Sequence, residues 1–292
     1  MLNSAECSMK RVYWIDFAKA LAIIGVVVVH VSQVLRLPSW AHLAASFGAM
    51  GVQLFFLLSA YCLCMTWNER PLTWRWWWRK YCRLAPWYLV GILLYWLYHE
   101  LVCDNLVVNY TAVNIVANVL LINGFVPSAQ NSIVPGGWSI SCIALFVFIW
   151  PLLCNLRTMT LIVIGITGLV VNSIGYLFLE WSRFYAYCSP FSQFIVFVLG
   201  VTLFRWKDRI RTLNAASIMV VFFLASVVAV VLGKEYNILY RHVLMAISFC
   251  GFSIILMRHK IYGGGLLWIG RHSYEIFIFH FLVIWCIKRL VK

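Results

Sequence analysis

The feature that most constrains this chain is the recurrence of long apolar runs separated by short polar ones. A helix crosses the roughly 30 Å hydrocarbon core of a bilayer with about 20 mostly apolar residues. Such runs predict an all-α polytopic membrane protein, a bundle of about nine to ten transmembrane helices. The predicted spans are 14–35, 44–66, 85–103, 138–156, 159–180, 187–204, 213–232, 238–257 and 273–290. An asparagine-rich stretch at 112–125 has three open interpretations: a span, a re-entrant segment or an interfacial helix.

The composition agrees with a chain built from membrane helices. Of 292 residues, 64% are hydrophobic and 11% charged, and the mean hydropathy is +0.90. Because a soluble domain is roughly a quarter charged, we predict a single membrane domain over residues 1–292. The net charge of +14 comes from scattered basic residues, which is typical of cytoplasmic loops and argues against a nucleic-acid partner. Most of the ten cysteines fall inside predicted spans, so we expect no disulfide framework and no metal site.

The basic residues also predict an orientation. Lys10 and Arg11 precede the first span, and a cluster from Arg70 to Arg83 follows the second. Because Lys and Arg concentrate in cytoplasmic loops, both flanks are placed inside, with a cytoplasmic N-terminus. The basic C-terminal KRLVK conflicts with nine spans, so nine against ten and the side of the C-terminus stay open.

Three ionisable residues interrupt the first span, in DFAKALAIIGVVVVHVSQ from Asp16 to Gln33. At about 100° per residue, Asp16, Lys19 and His30 share one helix face, which must look into the bundle or a cavity. Lys19 and His30 are separated by about 16 Å of helix rise, so His30 lies deeper in the membrane. His30 is a candidate proton acceptor. The structural alternatives are a snorkelling Lys19 paired with Asp16, and a histidine that bonds a neighbouring helix.

A basic and aromatic stretch, WRWWWRKYCR from Trp74, follows the second span. Trp and Arg together are typical of a helix that lies in the headgroup plane. The compatible functional interpretation is an electrostatic dock for an anionic cytoplasmic cofactor. Its cations would be Arg75, Arg79, Lys80 and Arg83.

The opening motif resembles that of the acyltransferase-3 family of integral membrane acyltransferases. That family reads D-x-L-R-G-(x)n-H with ten residues between Arg and His, and Lys19 and His30 have this separation here. Other family landmarks follow in order over nearly the whole chain. They are GVQLFFLLSAY from Gly51, RKYCRLAPWYL from Arg79, GGWSISCIALFVFIWP from Gly136, FIVFVLGVTLF, and WIGRHSYEIFIFHFLVI from Trp268.

The resemblance implies transfer of an acyl group, most often acetyl, to a sugar hydroxyl. The donor would be cytoplasmic acetyl-CoA, and the acceptor a surface glycan such as lipopolysaccharide, or a lipid-linked sugar. The location implied is the bacterial inner membrane, with membrane lipids as surroundings. His30 would be the general base, with Asp16 and Lys19 positioning the donor or the histidine. Candidates for substrate and oxyanion contacts are Ser59, Trp138, Ser139 and Tyr274, and no nucleophile motif is present.

The chain departs from the family pattern at two places. Lys19 keeps the charge of the usual Arg but not its bidentate fork. The usual Glu after W-S-x-S is replaced, since Ile143 and Ala144 stand there. Glu275, an unusual acid in a span, either compensates for that Glu or pairs with Arg271 or another base.

Two further functions stay open at this point. One is a transporter or exporter of a glycan intermediate, with the polar stripe lining a pathway. The other is an inactive family member. The acceptor sugar, the length of the acyl group and the oligomeric state are not determined by the sequence.

Overall fold

The computed structural model describes residues 12–35, 37–67, 74–102, 110–232, 237–260 and 263–290, and it contains helices and turns but no strand among them. The all-α prediction is confirmed. The helices are α1 (Tyr13–Ser32), α2 (Ser39–Ser46), α3 (Gly51–Thr66), α4 (Trp74–Val102), α5 (Ala112–Val119), α6 (Gly137–Leu153), α7 (Thr158–Phe178), α8 (Arg183–Cys188), α9 (Pro190–Trp206), α10 (Thr212–Leu232), α11 (Asn237–His259), α12 (Gly264–Arg271) and α13 (Ser273–Leu290). Short 3-10 turns cover Phe47–Met50, which joins α2 to α3, and Asn123–Phe125.

Six helices of the described part are long and apolar enough to cross a membrane. They are Tyr13–Ser32, Ser39–Thr66, Thr158–Phe178, Arg183–Trp206, Thr212–Val231 and Ile238–His259. The predicted spans 138–156, 85–103 and 273–290 correspond to α6, α4 and α13, which are shorter or carry more polar residues. The chain is therefore a polytopic helical membrane protein, and the count of nine to ten crossings stays a prediction.

The core lies where α3 and α9 pack against each other. In the span that contains α9, 67% of the most apolar 18-residue stretch is buried, whereas in the span formed by α10 the buried share of that stretch is 17%. Close contact is possible because Gly200 of α9 has no side chain: a Cβ there would stand 2.3 Å from the Leu57 carbonyl. Small residues allow membrane helices to approach in this way. Around this centre, α7 and α10 turn apolar side chains outward.

Several helix ends meet at one end of the bundle. Tyr61 of α3 contacts the Trp14 ring of α1 and the Phe204 ring of α9, with centroids 5.1 and 5.3 Å apart. Its hydroxyl lies 3.6 Å from the Met257 sulfur of α11. Arg205, next to Phe204, donates to the Cys154 carbonyl after α6. We call this the basic end, because it collects the cations Lys80, Arg83, Arg205, Arg258 and Arg271. Lys10, Arg11 and Arg70, which contributed to the orientation prediction, lie outside the described residues.

Residues 110–136 form a polar segment packed between α4 and α6. The Tyr88 hydroxyl of α4 donates to Asn118 Oδ1 at 2.7 Å, and the Gly124 amide donates to Ser141 Oγ of α6 at 3.0 Å. Helix α5 has only eight residues, too few to cross a bilayer. Of the three interpretations of 112–125, the structure argues against a complete crossing, and the re-entrant and interfacial interpretations stay predictions. The segment's non-helical backbone is tolerated because it is buried in protein.

The basic and aromatic stretch from Trp74 is not a separate helix, and its position in the headgroup plane stays a prediction. The basic and aromatic residues form the first turns of α4, which continues to Val102. Helix α4 is continuous through Pro86, which lies inside it. Trp74 and Trp78 are 75% and 52% exposed, as expected for aromatic side chains at a membrane surface.

Candidate active site

A cavity of about 450 Å³ opens among α1, α3, α4, α6, α12 and α13 at the basic end. Two of its walls follow helical periodicity. On α3 the lining residues include Ser59, Cys62 and Thr66, and on α4 they begin at Lys80 and Arg83, in i, i+3 and i+4 steps. Asp16 and Lys19 of α1 and the start of α13 complete the enclosure. The remaining lining includes Val52, Phe55, Phe56, Leu63, Leu84, Trp87, Ser139, Ile140, Ile143, Val147, Gly270, Arg271, Ser273, Tyr274, Glu275 and Phe277.

The charges on this lining are predominantly positive. Asp16 Oδ2 lies 3.7 Å from Arg271 Nε, so these two charges offset each other. The remaining charged residues of the lining are the cations Lys19, Lys80 and Arg83 and one carboxylate, Glu275. Burial, with the nearby charges of Arg83 and Arg79, lowers the pKa of the Lys80 ammonium. An anionic ligand would relieve this repulsion, so the cavity is suited to bind one.

The four predicted cofactor-binding cations divide into two pairs. Lys80 and Arg83 line the cavity, and Lys80 also lies over the Trp76 ring, 5.3 Å from its centroid. Arg75 and Arg79 are exposed and outside the lining, with Arg79 Nε donating to the Arg75 carbonyl at 3.3 Å.

Glu275 lies in the same lining as Ile143, the position at which the family pattern has its Glu. Glu275 Oε2 is buried and has no hydrogen-bond partner among the described residues. The observed partner of Arg271 is Asp16, not Glu275. The cavity therefore contains a carboxylate, supplied by α13 rather than by α6.

The predicted oxyanion donors differ in what their hydroxyl and indole groups already bind. Ser139 Oγ donates to the Gly136 carbonyl at 2.8 Å, and the Tyr274 hydroxyl donates to the Leu84 carbonyl. Trp138 lies outside the lining and packs its ring against Phe56 and Tyr187. Ser59 lines the cavity, and its hydroxyl makes no hydrogen bond within the described part of the chain. Ser59 is thus the candidate whose O–H remains available to a ligand.

His30 lies outside the lining of the cavity. Its ring contacts α13, with centroids 4.2 Å from Phe281 and 5.3 Å from His280, and its Nδ1 lies 3.1 Å from Gln33 Oε1. Of the predicted shared helix face, Asp16 contacts Arg271 of α12 and His30 contacts Phe281 of α13, while Lys19 lines the cavity. The role of His30 as a base stays a prediction.

Most of the apolar lining was not among the predicted site residues, and neither were Cys62, Arg271 and Phe277. Cys62 follows Ser59 by three positions, so helical spacing alone places both on one face. Arg271 and Phe277 lie on either side of the break between α12 and α13, and no periodic signal in the sequence connects them to α1.

The fold and cavity define a class: a multi-pass helical membrane protein with an internal cationic site. The family model described as the acyltransferase domain, acyltransferase-3, matches residues 12–292, and the chain belongs to that family. The family indicates a membrane acyltransferase. Searches of curated proteins and of solved structures give no significant match.

Proposed function

We propose that this chain is an O-acyltransferase that transfers an acetyl or other short acyl group from acyl-CoA to a hydroxyl of a surface glycan or lipid-linked sugar. The observation that carries the proposal is the cationic cavity, with Lys19, Lys80 and Arg83 facing it. CoA is an anionic acyl carrier, and phosphate oxygens are strong acceptors for Lys and Arg.

The distance between the cations and His30 also supports a CoA thioester as the acyl donor. Lys19 and His30 are separated by about 16 Å along α1. CoA has the matching form, with its phosphates at one end and the thioester at the end of a long flexible arm. Bound with its phosphates at Lys19, Lys80 and Arg83, it would extend the acyl group toward His30.

The chemistry requires one proton transfer and one bond exchange. The acceptor hydroxyl oxygen attacks the thioester carbonyl carbon while an imidazole, His30 in this proposal, takes the hydroxyl proton. The carbon–sulfur bond then breaks, and the CoA thiolate leaves and takes up that proton. Ser59 lies among the cations at the basic end, so its hydroxyl is placed to donate to the CoA phosphates rather than to an oxyanion beside His30.

We also propose that the basic end faces the cytoplasm of a bacterial inner membrane, with the N-terminus on that side. Basic residues concentrate on cytoplasmic surfaces, and acyl-CoA is a cytoplasmic metabolite.

Cysteine labelling tests donor binding at this cavity. All cysteines except Cys62 are replaced by alanine, and the rate of alkylation by a maleimide is measured with and without acetyl-CoA. We expect acetyl-CoA to slow labelling of Cys62, which lines the cavity. A matched chain retains only Cys286, which is exposed on α13, and its labelling should not change. Equal labelling of Cys62 at all acetyl-CoA concentrations would contradict the proposed site.

Cation variants in the same assay locate the phosphate contacts. Lys80→Ala and Arg83→Ala should each raise the half-protecting acetyl-CoA concentration about tenfold or more, since hydrogen bonds to charged groups contribute about 1.5–3 kcal/mol. Arg79→Ala is the matched control, because Arg79 lies outside the lining. If Arg79→Ala has the largest effect, the donor binds on the outer surface of α4 instead.

Loss of the base tests the reaction itself. His30→Ala should abolish O-acetylation of the surface glycan at unchanged protein level, measured by NMR of the glycan from a host lacking the native copy. Unchanged O-acetyl signals would refute the assignment. Loss of glycan export with intact O-acetylation would instead indicate the exporter function, and failure of acetyl-CoA to bind would favour an inactive family member.

A further inference from the structure

His280 lies on α13 one turn beyond Phe277, which lines the cavity. Its side chain is buried, at 5% exposure, and its Nδ1 lies 2.7 Å from the Phe277 carbonyl. A carbonyl oxygen can only accept, so Nδ1 carries the hydrogen of this bond. In the neutral ring, Nε2 then presents a lone pair. That Nε2 is buried and has no hydrogen-bond partner among the described residues.

The two histidines pack against each other from opposite ends of the chain. The ring centroids of His30 and His280 are 5.3 Å apart, and both rings contact Phe281, at 4.2 and 4.4 Å. His30 has a polar partner in Gln33, whereas Nε2 of His280 does not. Leaving a buried acceptor without a partner costs about 1–3 kcal/mol, so a ligand hydroxyl there would recover that cost.

The position of His280 relative to the cavity is set by Phe277. The Phe277 ring lies 5.8 Å from the His280 ring and 6.3 Å from the ring of Phe55, and both phenylalanines line the cavity. His280 thus lies directly behind the inner wall of the cavity. A ligand in the cavity can reach Nε2 only if the Phe277 side chain moves aside.

We propose that His280 is a second catalytic histidine, which hydrogen-bonds the acceptor hydroxyl through Nε2. The imidazole takes the hydroxyl proton as the oxygen attacks the thioester carbonyl carbon, and it returns that proton to the sulfur when the carbon–sulfur bond breaks. In this inference His280 takes the proton, and His30, whose ring packs against that of His280, positions the base instead of taking the proton itself. This inference rests on the proposed acyl transfer and adds a residue to it.

His280→Asn separates the catalytic role from a structural one. Asparagine keeps a donor near the Nδ1 position, so the bond to the Phe277 carbonyl can persist while Nε2 is removed. His272→Asn is the matched control, since His272 makes a similar local bond, with Nδ1 3.0 Å from the Trp268 carbonyl, outside the cavity lining. The assay follows transfer of radiolabel from [14C]acetyl-CoA to glycan in membrane vesicles of the native host, which contain the native acceptor.

We expect His280→Asn to lower the maximal rate per molecule about a hundredfold or more, as for loss of a general base, with the KM for acetyl-CoA unchanged. His272→Asn should resemble the unaltered protein. A His280→Asn rate within threefold of the unaltered protein, with Cys62 still protected by acetyl-CoA, would overturn the inference and leave the proposed function standing. Absence of both label transfer and Cys62 protection in the unaltered protein would refute the proposed function itself.

A second variant covers the case in which His280→Asn does not fold, recognised by lost Cys62 protection. His280→Ala is then assayed with added imidazole. Recovery of the rate supports a proton-transfer role, because a packing defect is not repaired by a free base. A rate that imidazole leaves unchanged would overturn the inference.

Discussion

Gly270 lies at the contact between α12 and α1, and adding one methyl group there should displace the cavity wall. A Cβ at Gly270 would stand 1.7 Å from the Asp16 carbonyl oxygen, whereas real Cβ contacts are essentially never under 3.0 Å. Backbone atoms cannot rotate away as a flexible side chain can. Gly270→Ala must therefore move α12 away from α1 by more than an ångström.

The expected magnitudes follow from this displacement. Alanine is favoured over glycine within a helix by about 1 kcal/mol, so any destabilisation must come from the clash. Overpacking of this kind costs about 1–3 kcal/mol, which should lower the thermal unfolding temperature. Asp16 and Arg271 adjoin the contact and line the cavity. A shift of about 1 Å in such a wall should lower the acyl-transfer rate about a hundredfold.

Thermal unfolding of the detergent-purified protein and label transfer in vesicles check both effects. Gly265→Ala is the matched control, because it lies on the same helix and a Cβ there meets nothing within 4 Å. It should unfold at the same or a higher temperature and keep full activity. Identical behaviour of the two variants would refute the close packing of α12 on α1.

Three further outcomes are expected. Glu275→Gln should reduce the acyl-transfer rate at least tenfold if this carboxylate replaces the family Glu. Combining it with Ile143→Glu should restore activity, because both side chains line the cavity. A double variant that is no more active than Glu275→Gln would contradict this prediction. Tyr88→Phe removes the 2.7 Å hydrogen bond to Asn118 and leaves the buried Asn118 Oδ1 without that donor. We expect a loss of about 1–3 kcal/mol in the free energy of unfolding, measured by thermal unfolding. An unchanged unfolding temperature would argue against the buried bond. Protection of Cys62 by acetyl-CoA should weaken as the salt concentration rises from about 0.05 to about 0.5 M, because the electrostatic screening length then falls from over 10 Å to under 5 Å. Protection that does not depend on salt would exclude a phosphate site made by Lys80 and Arg83.

The apolar spans were largely predictable from the sequence. The predicted 159–180 and 213–232 correspond to Thr158–Phe178 and Thr212–Leu232, because a lipid-facing helix must be apolar along its length. The helices with a charged or polar part were harder to predict from the sequence. The first turns of α4 are charged, so hydropathy gives no reason to join them to the apolar part that follows. Helix α12 has eight residues, too short and glycine-rich for a periodic signal.

The candidate site was predictable in part. Helical arithmetic placed Asp16 and Lys19 on one inward face, and both line the cavity. The ion-pair partner of Asp16 could not be derived from the sequence, because residue spacing within one helix does not predict a contact between α1 and α12. The same applies to His280, whose importance follows from its contact with His30 and from the unpaired Nε2, both of which are tertiary properties.

The polar segment at 110–136 has a consequence for how the protein is assembled in the cell. A stretch with Asn114, Asn118 and Asn123 buried at zero exposure is too polar to enter the bilayer as an independent helix. Its hydrogen bonds go to Tyr88 before it and Ser141 after it in the chain. The helices that carry those two residues must therefore be inserted first. Synthesis past Ser141 thus precedes completion of this segment's hydrogen bonds, and we expect mutations that remove them to impair biogenesis of the protein.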